Sequence, residues 1–314
     1  MKSFISLHST VALLKRIKEE YGIEEVDIGA LEPFLYRDGD FDIVDLISAI
    51  EDLSLKVKIT TNGSLLYRYI DRLKSTNIKK VRISLHTLDK SIFTMISNSD
   101  NFSNVIESIR KAKEANLPIE INSIIFKGYE KYIVDIIEFC LEYKINLKLY
   151  NLYYSPFYKK EYEQYYISAE EIISFIKKHY IEYEIVEEQN DSKRNRVILK
   201  IKNVEFVIKD DYFIDRDNIY CQNCQYVDDC GEQFAEYIRV DPDLYFYPCY
   251  LRKDLRFNLQ DEDILCNLYN FNKKINIRLI VSAVCNFKCS FPDDGKTFWC
   301  LKQGGDYKWQ GIRY

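Results

Sequence analysis

Nine cysteines in a chain of 314 residues fall into two groups and two singles. Cys221, Cys224, Cys230 and Cys249 crowd one region, Cys285, Cys289 and Cys300 another, and Cys140 and Cys266 stand apart. Thiolates are soft ligands that suit zinc and iron–sulfur clusters, and in a reducing compartment they are not consumed by disulfides, so metal binding is the leading use of both groups. The first group reads CxxC, a third cysteine, and a fourth after "GEQFAEYIRVDPDLYFYP". On spacing alone, four thiolates suit a closed zinc site and a cluster equally well. The second group, "CNFKCSFPDDGKTFWC", has CxxxC at Cys285 and Cys289, with Pro292 where a further CxxC step would place a third thiolate. Cys300 is the nearest sulfur that could substitute, across a loop containing Gly295, and Asp293 is a harder and poorer ligand for iron. Cys140, inside the helical pattern "YIVDIIEFCLEYK", reads as a small buried apolar residue.

These sulfurs need elements to carry them. Up to about Tyr180, strand-like and helix-like segments alternate as successive βα units do. "EEVDIG", "KVKITT", "KVRISLH", "IEINSIIF" and "NLKLYNLYY" read as five strands, with "TVALLKRIKEE", "FDIVDLISAIEDL", "SLLYRYIDRLKST", "NFSNVIESIRKAKEAN", "YIVDIIEFCLEYK" and "SAEEIISFIKKHY" as helices. The Ile and Val in the strands predict a parallel sheet covered on both faces. Past Tyr180 the strands ("EIVEEQ", "RVILKIK", "VEFVIK") are shorter and more charged, so a second, smaller unit is expected there, holding the first cysteine group. After Asn272, "INIRLIVSAV" is a further strand that runs directly into the CxxxC loop.

In parallel βα architectures, ligands bind at the loops that follow the C-terminal ends of the strands. Here those loops hold Glu32 and Pro33 in "GALEPF", Thr60 to Gly63 in "TTNG", and Ser84 to Asp89 in "SLHTLD", while "IEINSIIFKGY" carries Asn122. Singly these signals are weak. Asn-Gly is an ordinary turn dipeptide, His86 reads equally as an exposed loop histidine, and Asn122 equally as a satisfied strand residue. Their order, however, resembles the radical S-adenosylmethionine (SAM) superfamily, especially the branch with the GTP cyclase of molybdenum-cofactor biosynthesis and the peptide-modifying maturases. That family's Gly-Gly-Glu-Pro, Thr-Thr-Asn-Gly and Ser-Leu-Asp-x-Leu-Asp loops are matched by Ala30-Leu31-Glu32-Pro33, Thr60-Thr61-Asn62-Gly63 and Ser84-Leu85-His86-Thr87-Leu88-Asp89. The family's first strand, with its Cys-x-x-x-Cys-x-x-Cys loop, is missing at the start, and "INIRLIVSAVCNFKCSFPDDG" near the end resembles it.

The resemblance implies an α/β fold: a partial six-stranded parallel βα barrel, circularly permuted, with a smaller α+β auxiliary-cluster domain. Residues 1–180 would form the SAM-binding core, 181–274 the auxiliary iron–sulfur domain, and 275–314 the permuted first strand and cluster loop. It further implies two 4Fe–4S clusters, one on Cys285, Cys289 and Cys300 with an iron left open for SAM, the other on Cys221, Cys224, Cys230 and Cys249. Glu32, Pro33, Thr60, Asn62, Ser84, His86 and Asn122 would line the SAM site, and no catalytic residue is assigned. The implied activity is reductive cleavage of SAM, with electrons from an external donor, to give a deoxyadenosyl radical that acts on a small-molecule or peptide substrate near the auxiliary cluster. The alternative is a non-catalytic relative that keeps the barrel and auxiliary cluster to bind a peptide or partner. Pro292 favours it, as does Leu31, which stands where the family has a glycine; in the auxiliary segment Leu244 also stands at a glycine position of the family pattern.

The totals narrow the field further. Forty-four basic against forty-nine acidic residues give a net charge of -5, which argues against a nucleic-acid footprint spread over the surface. No apolar run approaches a membrane span, and the first residues lack the apolar core and cleavage site of a signal peptide, so a cytoplasmic protein without a membrane partner is expected.

Overall fold

The computed structural model describes residues 4–29, 32–152, 159–180, 182, 184–189, 195–209, 219–225, 237–247, 256–257, 276–281, 299–303 and 306–310. The chain opens with α1 (Leu7–Tyr21), β1 (Glu25–Gly29), a small hairpin of β2 (Arg37–Asp38) and β3 (Phe41–Asp42), α2 (Ile43–Glu51), β4 (Lys56–Thr61) and α3 (Ile70–Leu73). It continues through β5 (Lys80–Ser84), α4 (Lys90–Ser97), α5 (Phe102–Glu114), β6 (Ile119–Ile124), α6 (Lys131–Tyr143), β7 (Asn146–Tyr150), α7 (Lys159–Tyr165) and α8 (Ala169–His179). Then come β8 (Glu184–Gln189), β9 (Asn195–Ile201), β10 (Val204–Lys209), α9 (Ile219–Gln222), β11 (Tyr237–Val240), β12 (Phe246–Tyr247), β13 (Asn276–Ile280), β14 (Trp299–Gln303) and β15 (Asp306–Gln310).

Local chemistry sets the helix ends. Asp42 and Asp45 form a reciprocal capping box at the start of α2, and Ser168 and Glu171 do the same for α8. Asp89 accepts from the Ser91 and Ile92 N–H groups and so starts α4, a helix the sequence reading did not anticipate. Gly22 closes α1 with φ at 63°, where a side chain would be strained. No helix among the described residues is long and apolar enough to cross a membrane.

Eleven strands form one sheet in the order β12-β11-β13-β1-β4-β5-β6-β7-β10-β9-β8. The run β13-β1-β4-β5-β6-β7 is parallel throughout, so the five expected strands are joined by a sixth from the far end of the chain. Residues 277–280 of β13 pair in register with 26–29 of β1, and the Ile5 N–H donates to the Val281 carbonyl at 3.1 Å. The strands that follow α8 extend this same sheet: β10 pairs parallel with β7, and β9 and β8 add antiparallel. At the other edge β11 pairs parallel with β13.

The sheet is apolar on one face only; the opposite face is polar but is buried too at Asp27, Arg82, Ser84, Glu120 and Asn122, so both faces are covered as expected. Val26, Ile28, Val57, Ile59, Val81, Ile83, Ile121, Leu147, Leu149, Ile277 and Leu279 alternate along their strands and are fully buried in one core with the helices. Each such side chain contributes about 1.5–3 kcal/mol by leaving water. The residues between them are Asp27, Lys58, Arg82, Glu120, Lys148 and Arg278, all charged and all on the opposite face.

Candidate functional site

The strand-end loops meet on one side of the sheet, as parallel pairing requires. Glu32 caps the short 3-10 turn Pro33–Leu35 by accepting from the Phe34 N–H at 3.1 Å, and Pro33 fits the first position because no N–H is needed there. Its carboxylate also accepts from the Thr61 hydroxyl at 2.8 and 2.9 Å and from the Asn62 N–H at 2.8 Å. Glu32 is only 6% exposed, and burial pushes its carboxyl up to about 7 against the pull of the Thr61, Asn62 and Phe34 hydrogen bonds. It staples the β1 loop to the end of β4.

Thr61, which the sequence reading passed over in favour of Thr60, is therefore the partner of Glu32. Thr60 instead lies in register with Arg82. The Asn62 side chain accepts from the Ser64 N–H at 2.8 Å, an Asx turn, and Gly63 follows with φ at 77°. A Cβ at Gly63 would stand 2.8 Å from Ile83 Cγ2 and 3.2 Å from Val105 Cγ1, so glycine is required on both grounds. The Ser108 hydroxyl on α5 holds this turn by donating to the Gly63 carbonyl at 2.7 Å.

Ser84 and Asn122 face each other in register at the ends of β5 and β6, and both are buried. Asn122 is 2% exposed and its Oδ1 has no hydrogen-bond partner among the described residues. Beyond them His86 Nδ1 accepts from the Ile124 N–H at 3.2 Å, which leaves the ring neutral with its proton on Nε2. Burial lowers its pKa to about 4. His86 opens onto a cleft of about 250 Å³, solvent in its mouth included, lined by Ile92 and Ile96 of α4 and by Ile124, Phe126 and Tyr129. Sequence reasoning named His86 and read "IIF" only as strand; that apolar run, at and just past the end of β6, was the available signal for this wall.

Beneath this tier lies the charged one. Asp27 accepts from Arg82 Nη1 at 2.7 Å and from Arg278 Nη2 at 3.2 Å. Burial alone would raise the Asp27 pKa, but the Arg278 and Arg82 charges hold it below the usual carboxylate range. Glu120 accepts from Arg82 Nε at 3.2 Å and Lys80 Nζ at 2.6 Å, while Lys58 pairs with Glu25.

Of the expected metal ligands, Cys221 lies in α9 and Cys224 follows it in a turn closed by the Cys224 N–H on the Cys221 carbonyl at 3.0 Å; both are part-exposed and neither is in a disulfide. Cys300 lies on β14, in register with Trp309 of β15. Cys230, Cys249, Cys285 and Cys289 lie outside the described residues. Among the described residues no three His, Cys, Asp or Glu side chains are placed to hold a metal ion. Cys140 is fully buried, as expected, and Leu244, which stands at a glycine position of the family pattern, adopts φ 63°.

The profile of the radical SAM superfamily matches residues 2–140. A probable GTP 3',8-cyclase of Sulfurisphaera tokodaii is 28% identical over 270 residues, covering 85% of this chain and 78% of that protein. One of Methanocaldococcus jannaschii is 26% identical over 246 residues, covering 78% and 74%. Among solved structures, native anSMEcpe with bound AdoMet and Cp18Cys peptide superposes with a TM-score of 0.53 at 18% identity, covering 85% of this chain and 72% of that one. At that identity the likeness is one of fold.

Proposed function

We propose that this chain, similar to the radical SAM superfamily over residues 2–140, is a radical SAM enzyme that binds SAM across the ends of β4, β5 and β6. The observation that carries this is Asn122 Oδ1, a buried acceptor without a partner among the described residues, beside Ser84 and below a neutral imidazole with an apolar wall. A buried orphan acceptor costs free energy unless a ligand supplies the donor. SAM has such donors in its amino and hydroxyl groups. A 4Fe–4S cluster with an open iron would supply the electron, taken from an external donor, that splits bound SAM into methionine and a deoxyadenosyl radical able to remove hydrogen from a substrate.

The protein's own part is to hold and orient. Glu32 fixes the two loops that frame the site, Asn122 and Ser84 give SAM its hydrogen bonds, and His86 stays uncharged against the wall. Cys285, Cys289 and Cys300 would hold the SAM-binding cluster, with Cys300 replacing the thiolate that Pro292 displaces. Because β13 runs parallel to β1, the loop that follows it starts on the side where Glu32 stands, which supports reading β13 as the family's first strand in permuted order. Cys221, Cys224, Cys230 and Cys249 would hold the auxiliary cluster, and the Cys221–Cys224 turn suits that use. The second reading, a non-catalytic relative, is favoured by Pro292.

Titration of SAM into the anaerobically reconstituted protein tests the site. Asn122→Leu removes the acceptor with little change of volume, so affinity is expected to fall about tenfold or more while thermal stability holds or rises. Equal affinity in both proteins would count against this placement.

A further inference from the structure

Past Asn122 the polar face of the sheet ends in tyrosine. Asn122 pairs in register with Lys148 and Ile124 with Tyr150, so Tyr150 stands one step further up β7 on the face that holds Asn122. Such diagonal neighbours on adjacent strands are roughly 7–8 Å apart, within reach of an aromatic side chain. Lys148 Nζ lies 5.2 Å from the centroid of the Tyr150 ring, which keeps the ring over this face. Tyr150 is half-buried and packs against Ile124, whose N–H holds His86.

Beyond Tyr150 a path of phenols leads outward. Tyr150, Tyr162, Tyr165 and Tyr166 pack around Ile124 and Leu152, and the Tyr162 and Tyr166 rings are 4.7 Å apart at 35°. The segment is pinned to the strand ends, because the Lys127 N–H donates to the Tyr165 carbonyl at 2.9 Å and Asn151 Nδ2 donates to the Tyr166 hydroxyl at 3.5 Å. No residue of α7 is buried, so the path ends at the surface. Packing alone does not need four hydroxyls, whereas hydrogen-atom transfer does.

A phenolic O–H bond is weaker than the methyl C–H bond that a deoxyadenosyl radical forms, so transfer from tyrosine to the radical runs downhill. Resting on the reading of the site above, we propose that Tyr150 gives its hydrogen atom to this radical when no substrate stands between them, and that Tyr162 and Tyr166 carry the resulting radical to the surface. In the first step the Tyr150 O–H bond breaks and a C–H bond forms at C5' of deoxyadenosine, leaving a tyrosyl radical, and no electron enters or leaves. Exchange with the next tyrosine moves one electron and one proton between like groups. At the surface the external donor supplies one electron and water one proton, which restores the phenol. A radical formed without substrate thereby ends at the surface instead of on the strand-end loops.

The test reduces the reconstituted full chain with titanium(III) citrate and SAM in heavy water, without thiol or substrate. Deoxyadenosine is weighed by mass spectrometry, and samples frozen during the reaction are read by electron paramagnetic resonance. Phenolic hydrogens exchange with solvent, so the parent is expected to give deoxyadenosine with one added deuterium, and a radical signal that narrows when the protein carries ring-deuterated tyrosine. Tyr150→Phe keeps the ring and is expected to lose both the deuterium and the signal. Tyr162→Phe with Tyr166→Phe is expected to keep the deuterium and prolong the signal, and an unchanged lifetime overturns the outward path. Deoxyadenosine without deuterium, or deuterium that Tyr150→Phe leaves in place, overturns the proposal while the SAM site stands. Should Tyr150→Phe misfold, the parent decides alone, and deoxyadenosine formed with no tyrosyl signal overturns the proposal. A protein that forms no deoxyadenosine at all fails the reading of the site, and this proposal with it.

Discussion

Glu32 follows β1 and His86 follows β5, with β4 between them, and the two push stability in opposite directions with pH. The Glu32 carboxyl is raised from 4.5 to about 7 by burial, so its contribution is full below 4.5 and is lost as pH rises through 7. The His86 ring is lowered from 6.5 to about 4 by burial, so its contribution is full above 6.5 and is lost as pH falls through 4. Between pH 4.5 and 6.5 the two partly cancel. Glu32→Gln should unmask the histidine, giving urea midpoints that climb steadily from pH 4 to 6.5, the range of the His86 shift. A variant that keeps the parent's pH profile would show that Glu32 is not the titrating group. Gly63 is the other residue-scale constraint. With φ at 77° and Ile83 Cγ2 at 2.8 Å from an added Cβ, Gly63→Ala should lose about 1–3 kcal/mol in denaturant unfolding.

Among the elements, the join of β13 to β1 depends on charge as well as on backbone pairing. Asp27 is 2% exposed and bonds two guanidinium groups, one of them on a strand that begins about 250 positions later. Asp27→Asn leaves Arg82 and Arg278 undercompensated and should cost about 3–5 kcal/mol, whereas Glu24, paired with Lys56 at the exposed end of the strand, should cost under about 1 kcal/mol when changed to Gln. Comparable losses from the two variants, measured by chemical unfolding, would mean that the buried triad does not hold the strand.

Much of this level was legible in the sequence, because a strand of alternating Val, Ile and Leu between helices has few other uses. Less legible was the residue in the middle of each strand. The period of two in "VDI", "VRI" and "IEI" marks one apolar and one charged face, and the burial of Asp27, Arg82 and Glu120 shows that the charged face is covered as well. α4 was hidden because its start signal, Asp89, lies inside the "SLHTLD" loop and the helix is only 8 residues long. The exchange of Thr60 for Thr61 turns on which of two adjacent side chains points to Glu32, and that depends on strand direction at the last residue. Leu244 gave its position away, since only a turn that needs a left-handed residue would call for glycine there, and it has φ 63°.

At the scale of the whole molecule, strands from both ends of the chain share one sheet, and the polar strand ends of residues 32–124 face the side where the loop after β13 begins. The proposed chemistry needs three thiolates in that loop region, of which Cys285 and Cys289 have the family spacing and Cys300 must serve as the third. The direct measurement is anaerobic reconstitution with iron and sulfide, followed by iron determination and assay of 5'-deoxyadenosine from SAM under reduction, in the parent chain and in Cys300→Ala. The account predicts two clusters and deoxyadenosine in the parent, with loss of roughly four irons and of all deoxyadenosine in the variant. A parent that takes up one cluster and cleaves no SAM, or a variant that keeps its full iron and its activity, would contradict it.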